Sequence, residues 1–150
     1  MRVGAHAPPR RAAWRLLDFG IVADIGEVSF PRCTPVYAPP EVLRALEAKE
    51  HIPVHASQDI WALGVMVYEA ITNTGPRDRF ARPSDAFACA SGARPWPWDL
   101  PAEQLHPAWR RSRLRAIAQP CLNPDAAQRP SAQGISDGIL KLSSATTYGA

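Results

Sequence analysis

No apolar run in this sequence approaches the roughly eighteen residues that a membrane span needs; the longest, Ile60 to Tyr68, is about half that length. A membrane-spanning role is therefore not expected. Cysteine is scarce. Cys33, Cys89 and Cys121 are far apart, odd in number and free of any C-x-x-C spacing, which argues against both a zinc site and a disulfide framework and for a reducing compartment. Charge of one sign is not in excess either. Charged residues make up 21% and the net charge is +3, too modest and too mixed for a disordered tail or a dedicated nucleic-acid module. The N-terminus is Arg-rich and free of acids before Asp18, yet it lacks the serine and the apolar core of a targeting peptide, so a cytoplasmic location is the expectation.

What the sequence does have is 150 residues at 46% hydrophobic content, enough to bury one core. Residues 1–13 carry no periodicity and read as a disordered leader, and residues 143–150 as a frayed tail. Trp14 to Leu17 reads as a short buried strand ending at Asp18, with a second short strand at Ile21–Val22, inside a turn-rich stretch from Gly20 to Pro40. Pro39-Pro40-Glu41 opens a helix, because proline is tolerated in a first turn and good helix formers follow to Glu47. Ser57 is expected to cap a helix from Gln58 to about Thr72 whose apolar residues cover every face, so that it runs through the middle of the core. Gly64 in that helix would admit a close neighbour. Asn73 to Pro83 reads as a loop, and Ser84 as the cap of a short helix to Ala90 stopped at Gly92. Pro95 to Pro107 should be extended. Further helices are expected over Trp109–Gln119 and Ser131–Leu142, giving a mainly α architecture with at most one short β pair near the N-terminus.

Several groups invite a functional reading that their surroundings weaken. The run Arg110, Arg111, Arg113 and Arg115 reads as a solvated helix face rather than a phosphate-binding patch. His51 and His55 have metal-compatible spacing, but Pro53 between them breaks the helix that would align them. The Trp96-Pro97-Trp98 cluster reads as core packing rather than a ligand platform. Asp18-Phe19-Gly20 places a hard oxygen ligand beside a flexible glycine, as a magnesium-phosphate site would require, although Asp before Gly is also ordinary turn chemistry.

Context decides that last case. Cys33-Thr34-Pro35-Val36-Tyr37-Ala38-Pro39-Pro40-Glu41 resembles the end of a protein-kinase activation segment. Ser57-Gln58-Asp59-Ile60-Trp61-Ala62-Leu63-Gly64-Val65 resembles that family's central helix with its Asp-x-Trp-x-x-Gly signature, and Cys121 to Asp125 with Arg129-Pro130-Ser131 resembles its last conserved block. Trp14 to Leu17 sits where the strand before Asp-Phe-Gly should be. The resemblance covers roughly residues 14–142 and implies a partial serine/threonine protein kinase domain, a helical C-terminal lobe from just before Asp-Phe-Gly onward with the N-terminal lobe absent.

The resemblance also implies roles. Asp18 would bind magnesium, Phe19 would pack in the hydrophobic spine, and Gly20 would complete the cofactor-binding tripeptide. Thr34 would line the pocket beside the phosphoacceptor. Glu41 and Arg129 would form a buried ion pair, Asp59 would receive backbone N–H groups of the catalytic loop, and Trp61 and Gly64 would be structural. Ser29 is a candidate phosphosite. Cys33 and Pro39 depart from the glycine and alanine usual at their positions. Magnesium and ATP are the cofactors of the parent family and a protein substrate or a partner kinase is the expected partner, with no nucleic acid and no membrane.

Phosphoryl transfer depends on positioning and charge stabilisation, and so on a glycine-rich loop, a lysine on the phosphates and a His-Arg-Asp loop with its Asn. Met1 to Leu17 contain no Asp, Asn or Lys, and the one histidine there, His6, is followed by Ala-Pro-Pro. This chain alone is therefore expected to bind ATP poorly and to transfer nothing. The alternative expectation is a non-catalytic, pseudokinase-like interaction module.

Overall fold

The structure, a computed structural model, describes residues 20–147. The strand expected at Trp14 to Leu17 lies outside the described residues. The described residues are mainly helical, with one two-stranded antiparallel sheet among them.

A short β pair is present as expected, but it does not use the strand expected at Ile21–Val22. Ile21 sits in a turn and Val22 is irregular, while strands β1 (Val28–Ser29) and β2 (Ile52–Pro53) pair, Val28 opposite Pro53 and Ser29 opposite Ile52. Two bonds flank the pair and fix its register: Gly26 N–H donates to the Val54 carbonyl at 2.8 Å, and Val54 N–H to the Glu27 carbonyl at 2.8 Å. Gly26 has φ of 92°, a conformation that glycine reaches without a Cβ penalty.

Helix α1 (Pro40–Ala48) begins on the expected proline pair and buries Pro40, Val42, Leu43 and Ala45. It ends at Lys49, held left-handed at φ 57°, where the Lys49 and Glu50 N–H groups reach back to Leu46 and Ala45 in a Schellman closure. Helix α2 (Ala56–Thr72) is the long central element. Its N-cap is His55, not Ser57: the His55 Nδ1 accepts from Ser57 N–H at 3.2 Å, and Ser57 itself is a buried first-turn residue. Nor is α2 buried all round. Ile60, Trp61, Gly64, Val65 and Tyr68 face inward, whereas Asp59, Leu63, Met66 and Ala70, at i, i+4, i+7 and i+11, form an exposed stripe.

Helix α3 (Pro76–Arg79) interrupts the expected loop, and α4 (Ser84–Ala90) follows. Ser84 is the first helical residue of α4 rather than its cap; instead the Asp85 carboxylate accepts from Arg82 N–H at 3.1 Å. The helix expected over Trp109–Gln119 is two helices, α5 (Pro107–Arg111) and α6 (Arg115–Cys121). Ser112 between them is extended at φ −72°, ψ 132°, and its hydroxyl accepts from Leu114 N–H, a local bond that competes with helix continuation. Helix α7 (Ala132–Thr147) is capped by the Ser131 hydroxyl, which accepts from Gly134 N–H at 3.1 Å, and it runs five residues past Leu142.

The core gathers on α2. Helix α6 approaches so closely that a Cβ on Gly64 would lie 2.9 Å from the Cys121 Cβ and the Leu122 Cγ. On the other side stand the aromatic rings: Trp96 and Trp98 stack at 5.2 Å, Trp61 meets both edge-on, and Tyr68 meets Trp98 and Trp109 edge-on. Trp-Pro-Trp is thus core packing. The indole N–H groups of Trp61, Trp98 and Trp109 are buried without an acceptor among the described residues, a cost that edge-to-face ring packing offsets in part.

Candidate functional site

The expected site residues fall into two groups, one tied to the core and one outside it. Asp18 and Phe19 lie outside the described residues, and Gly20 is exposed at a turn. Ser29 is half-buried in β1. Thr34 is exposed at the start of a 3-10 turn, Pro35–Tyr37; its carbonyl accepts from Tyr37 N–H at 2.9 Å, and its side chain does not cap the turn. The Thr34 hydroxyl is therefore presented outward on a backbone that the two prolines around it, Pro35 and Pro39, restrict.

That turn is held by three charged or polar groups that the sequence did not single out. Tyr37 donates its phenol O–H to the Glu69 carboxylate at 3.1 Å, and Arg79 binds the same carboxylate at 2.7 Å. The Arg79 side chain is almost wholly buried, with its guanidinium over the Tyr37, Phe80 and Trp98 rings at 5.2–6.0 Å. Partial burial first, then the hydrogen bond to Glu69 and the Glu69 charge, raise the Tyr37 phenol above its ordinary value, with Arg79 pulling the other way. One signal was available: Glu69 is an acid in the apolar last third of α2, where an ionised group needs a partner.

Behind the turn, Glu41 and Arg129 form a bidentate pair at 2.7 and 2.8 Å across 88 residues of chain. The Arg129 side chain is fully buried, and its other contacts go to the Asn123 carbonyl at 2.9 Å, the Ser57 carbonyl at 3.0 Å, the Pro124 carbonyl at 3.4 Å and the Trp61 ring at 5.0 Å. One guanidinium thus joins the start of α1, the start of α2 and the loop before α7. Trp61 is fully buried beneath it, and Gly64 one turn on admits α6.

Asp59 is exposed in the first turn of α2, where the helix dipole favours its charge, and it makes no hydrogen bond or ion pair among the described residues. Among the described residues no group of three or more His, Cys, Asp and Glu could hold a metal ion. His51 contacts the Phe30 ring edge-on and His55 caps α2, so neither is placed as half of a metal site.

Comparison with known proteins gives a consistent picture. The family model described as protein kinase domain matches residues 9–138. The mouse serine/threonine-protein kinase D3 is 42% identical over 65 residues, which are 41% of this chain and 7% of that protein. Its human counterpart is 40% identical over 65 residues, again 41% and 7%. The Caenorhabditis briggsae serine/threonine-protein kinase dkf-2 is 42% identical over 65 residues, 41% of this chain and 5% of that protein. The matched stretch is therefore a small part of each of these relatives. No solved structure matches the chain.

Proposed function

The chain belongs to the protein kinase domain family, and from that premise we propose that it is the substrate-facing half of a serine/threonine kinase domain, inactive by itself, whose parent reaction moves the ATP γ-phosphate to a protein hydroxyl. The observation that carries this reading is the fixed presentation of Thr34. The turn bearing it is tied to α2 through Tyr37, Glu69 and Arg79, and the helix that follows is tied to the core through Glu41 and Arg129. Thr34 is the residue we assign to the pocket for the substrate side chain next to the phosphoacceptor. Its neighbour Pro35 favours the serine/threonine branch, as do the relatives' names.

Protein kinases use magnesium and ATP, which supply the transferable phosphoryl group. The described residues of this chain hold no group of three or more His, Cys, Asp and Glu that could take a metal ion, and the cation packed on the Thr34 turn, Arg79, is engaged by Glu69. Asp18 remains the proposed magnesium ligand, Phe19 and Gly20 its companions, and one carboxylate alone holds magnesium weakly. The sequence within these 150 residues shows no glycine-rich phosphate loop and no His-Arg-Asp loop.

Asp59 supports the same reading. Its carboxylate makes no hydrogen bond or ion pair among the described residues and stands on the exposed stripe of α2 beside Leu63 and Met66, which supports the proposal that it takes up a further segment of polypeptide. That stripe also favours a second reading, a non-catalytic module that binds a protein substrate or a partner kinase through its helical face. A cytoplasmic location belongs to both readings; no helix among the described residues is long and apolar enough to cross a membrane. Ser29 is the proposed phosphosite, and a Ser29-containing peptide that gains no phosphate on treatment with an activating kinase, by intact mass, removes it.

The deciding experiment is calorimetry of magnesium-ATP binding to the purified chain beside a circular-dichroism melt. The expected result is a cooperative melt with no measurable nucleotide binding. Tight binding accompanied by phosphotransfer to a protein would overturn the proposal of an inactive chain.

A further inference from the structure

The corner between α5 and α6 carries charge that the fold does not neutralise. Arg110, Arg111, Arg113 and Arg115 lie within six residues, and no ion pair among the described residues involves any of them. Arg110, Arg111 and Arg113 are exposed. Arg110 is oriented by a bond from its Nη1 to the Ala102 carbonyl at 3.3 Å, and Arg115 by one to Gln119 at 3.3 Å, which leaves the remaining donors free for carboxylates outside the molecule. The break at Ser112 turns this run out of a single helix, so it is not the continuous solvated face that the sequence alone proposes.

A cleft of about 340 Å³ opens at the start of the same helix. Its apolar lining comes from Tyr68, Pro95, Pro97 and Leu100, and Arg94 and His106 also line it. His106 is the N-cap of α5, and its carbonyl accepts from Arg110 N–H at 3.0 Å, so His106 and Arg110 stand one turn apart on one helix face. The acid that lines the cleft, Asp78, is engaged by Gly75 N–H at 2.7 Å. Arg94 is loosely held, 45% exposed and 3.4 Å from Asp85.

We infer that this cleft and the arginines beside it dock an acidic peptide segment of a partner protein, an apolar side chain seated against Pro95, Pro97 and Leu100 and flanking carboxylates on Arg94 and Arg110. Charge complementarity selects this occupant. A single-stranded nucleic acid would gain from rings on which bases can stack, and Trp96, Trp98 and Trp109 are all buried, while the apolar side of the cleft offers a phosphate backbone nothing to bind. Insertion into a membrane surface would require an amphipathic helix of some length, and α5 and α6 are five and seven residues long. The inference goes beyond the kinase reading, since it uses neither Thr34 nor the Glu41–Arg129 pair.

The test is fluorescence anisotropy on the whole purified chain with a dye-labelled peptide Glu-Glu-Leu-Phe-Glu-Glu. The expected result is binding at least about tenfold tighter than that of the same peptide with Gln in place of Glu, weakening as salt rises. Arg110→Glu with Arg94→Glu lowers that affinity about tenfold or more while the melt stays unchanged. If the double variant folds poorly, Arg110→Gln removes one charge, keeps a donor for Ala102, and lowers affinity by a smaller factor. Equal affinity for the Glu and Gln peptides overturns the inference. So does an unchanged affinity in folded variants, or retention by oligo-dT or phosphatidylserine vesicles without binding of the acidic peptide.

Discussion

Residues 20–34 carry five large apolar side chains and helix α2 carries eight, and the two segments use them in opposite ways. Ile21, Val22, Ile25, Val28 and Phe30 are all exposed, 43–72%, and no residue from Gly20 to Thr34 is buried. Helix α2 buries Ile60, Trp61, Val65 and Tyr68 to 7% or less. Apolar content does not decide which segment enters the core. What α2 has is a 3.6-residue spacing that puts four large side chains on one side, together with a glycine that lets α6 come within contact. The 20–34 segment has no such period, and the described part of the fold holds it by a two-residue strand, a few backbone bonds and the contact of Phe30 with His51. Between the two lies the turn bearing Thr34, and there the Tyr37, Glu69 and Arg79 network joins the packing of Val36, Tyr37 and Ala38 against the core in making the connection.

The largest expected effect comes from cutting that connection at its buried end. Arg129→Met leaves the Glu41 carboxylate without its partner and frees the Ser57 and Asn123 carbonyls, and it should cost about 3–5 kcal/mol in a urea titration. Glu41→Gln should cost nearly as much, because the guanidinium it strands is fully buried. Losses under about 1 kcal/mol for both would mean that the pair does not join loop and core, and the comparison would have to be drawn without it.

A second test uses pH on the core alone. Burial pushes the Cys89 thiol up from its ordinary 9.0 to about 11, with Asp85 adding to the rise and Arg94 opposing it. The unfolded thiol ionises first, so the contribution of Cys89 is fully present below pH 9 and is lost as pH rises toward 11. Two pH units amount to about 3 kcal/mol at most, read as the difference in alkaline stability between the native chain and Cys89→Ala. In the same range the exposed Cys33 should react with a thiol reagent well before the buried Cys89 and Cys121. Equal rates would place Cys89 nearer solvent than the core allows.

How much of this was legible in the sequence depends on the range over which the causes act. The starts of α1 and α7 were readable because Pro39-Pro40 and Ser131 act within one turn, and α2 because its spacing is strong. The cap of α2 was misread since His55 is an unusual cap, and Ser57 looked the better one. The single helix over 109–119 failed on one serine hydroxyl bonding its own neighbour. A short β pair was expected and is present, but its strands were out of reach because β1 meets a partner 24 residues on that contains Pro53, a residue that argues against a strand. At the candidate site, Glu41 and Arg129 were paired only through the family resemblance, and Glu69 with Arg79 went unseen because their contact depends on where α3 returns against α2.

Gly64→Ala sharpens the comparison from inside the core. The added methyl would lie 2.9 Å from Cys121 and Leu122, both side chains packed on α6 or at its end, so α2 and α6 must separate. The expected cost is about 1–3 kcal/mol by thermal or urea melt. A neutral or stabilising result, as helix propensity alone would give, would show that the helices can part freely and that the core is looser than its aromatic packing implies.

The smallest expected effect lies in the exposed segment, and it is the most discriminating. Ile25 is 72% exposed, so Ile25→Ser removes almost no buried area and should change stability by no more than about 0.5 kcal/mol. The same change removes one of five exposed apolar side chains within ten residues, so light scattering should show less self-association at equal stability. A stability loss above about 1 kcal/mol would mean that Ile25 packs in solution as a core residue does. The loop would then be part of the folded unit, and the Thr34 turn would be anchored from both sides rather than from the helical side alone.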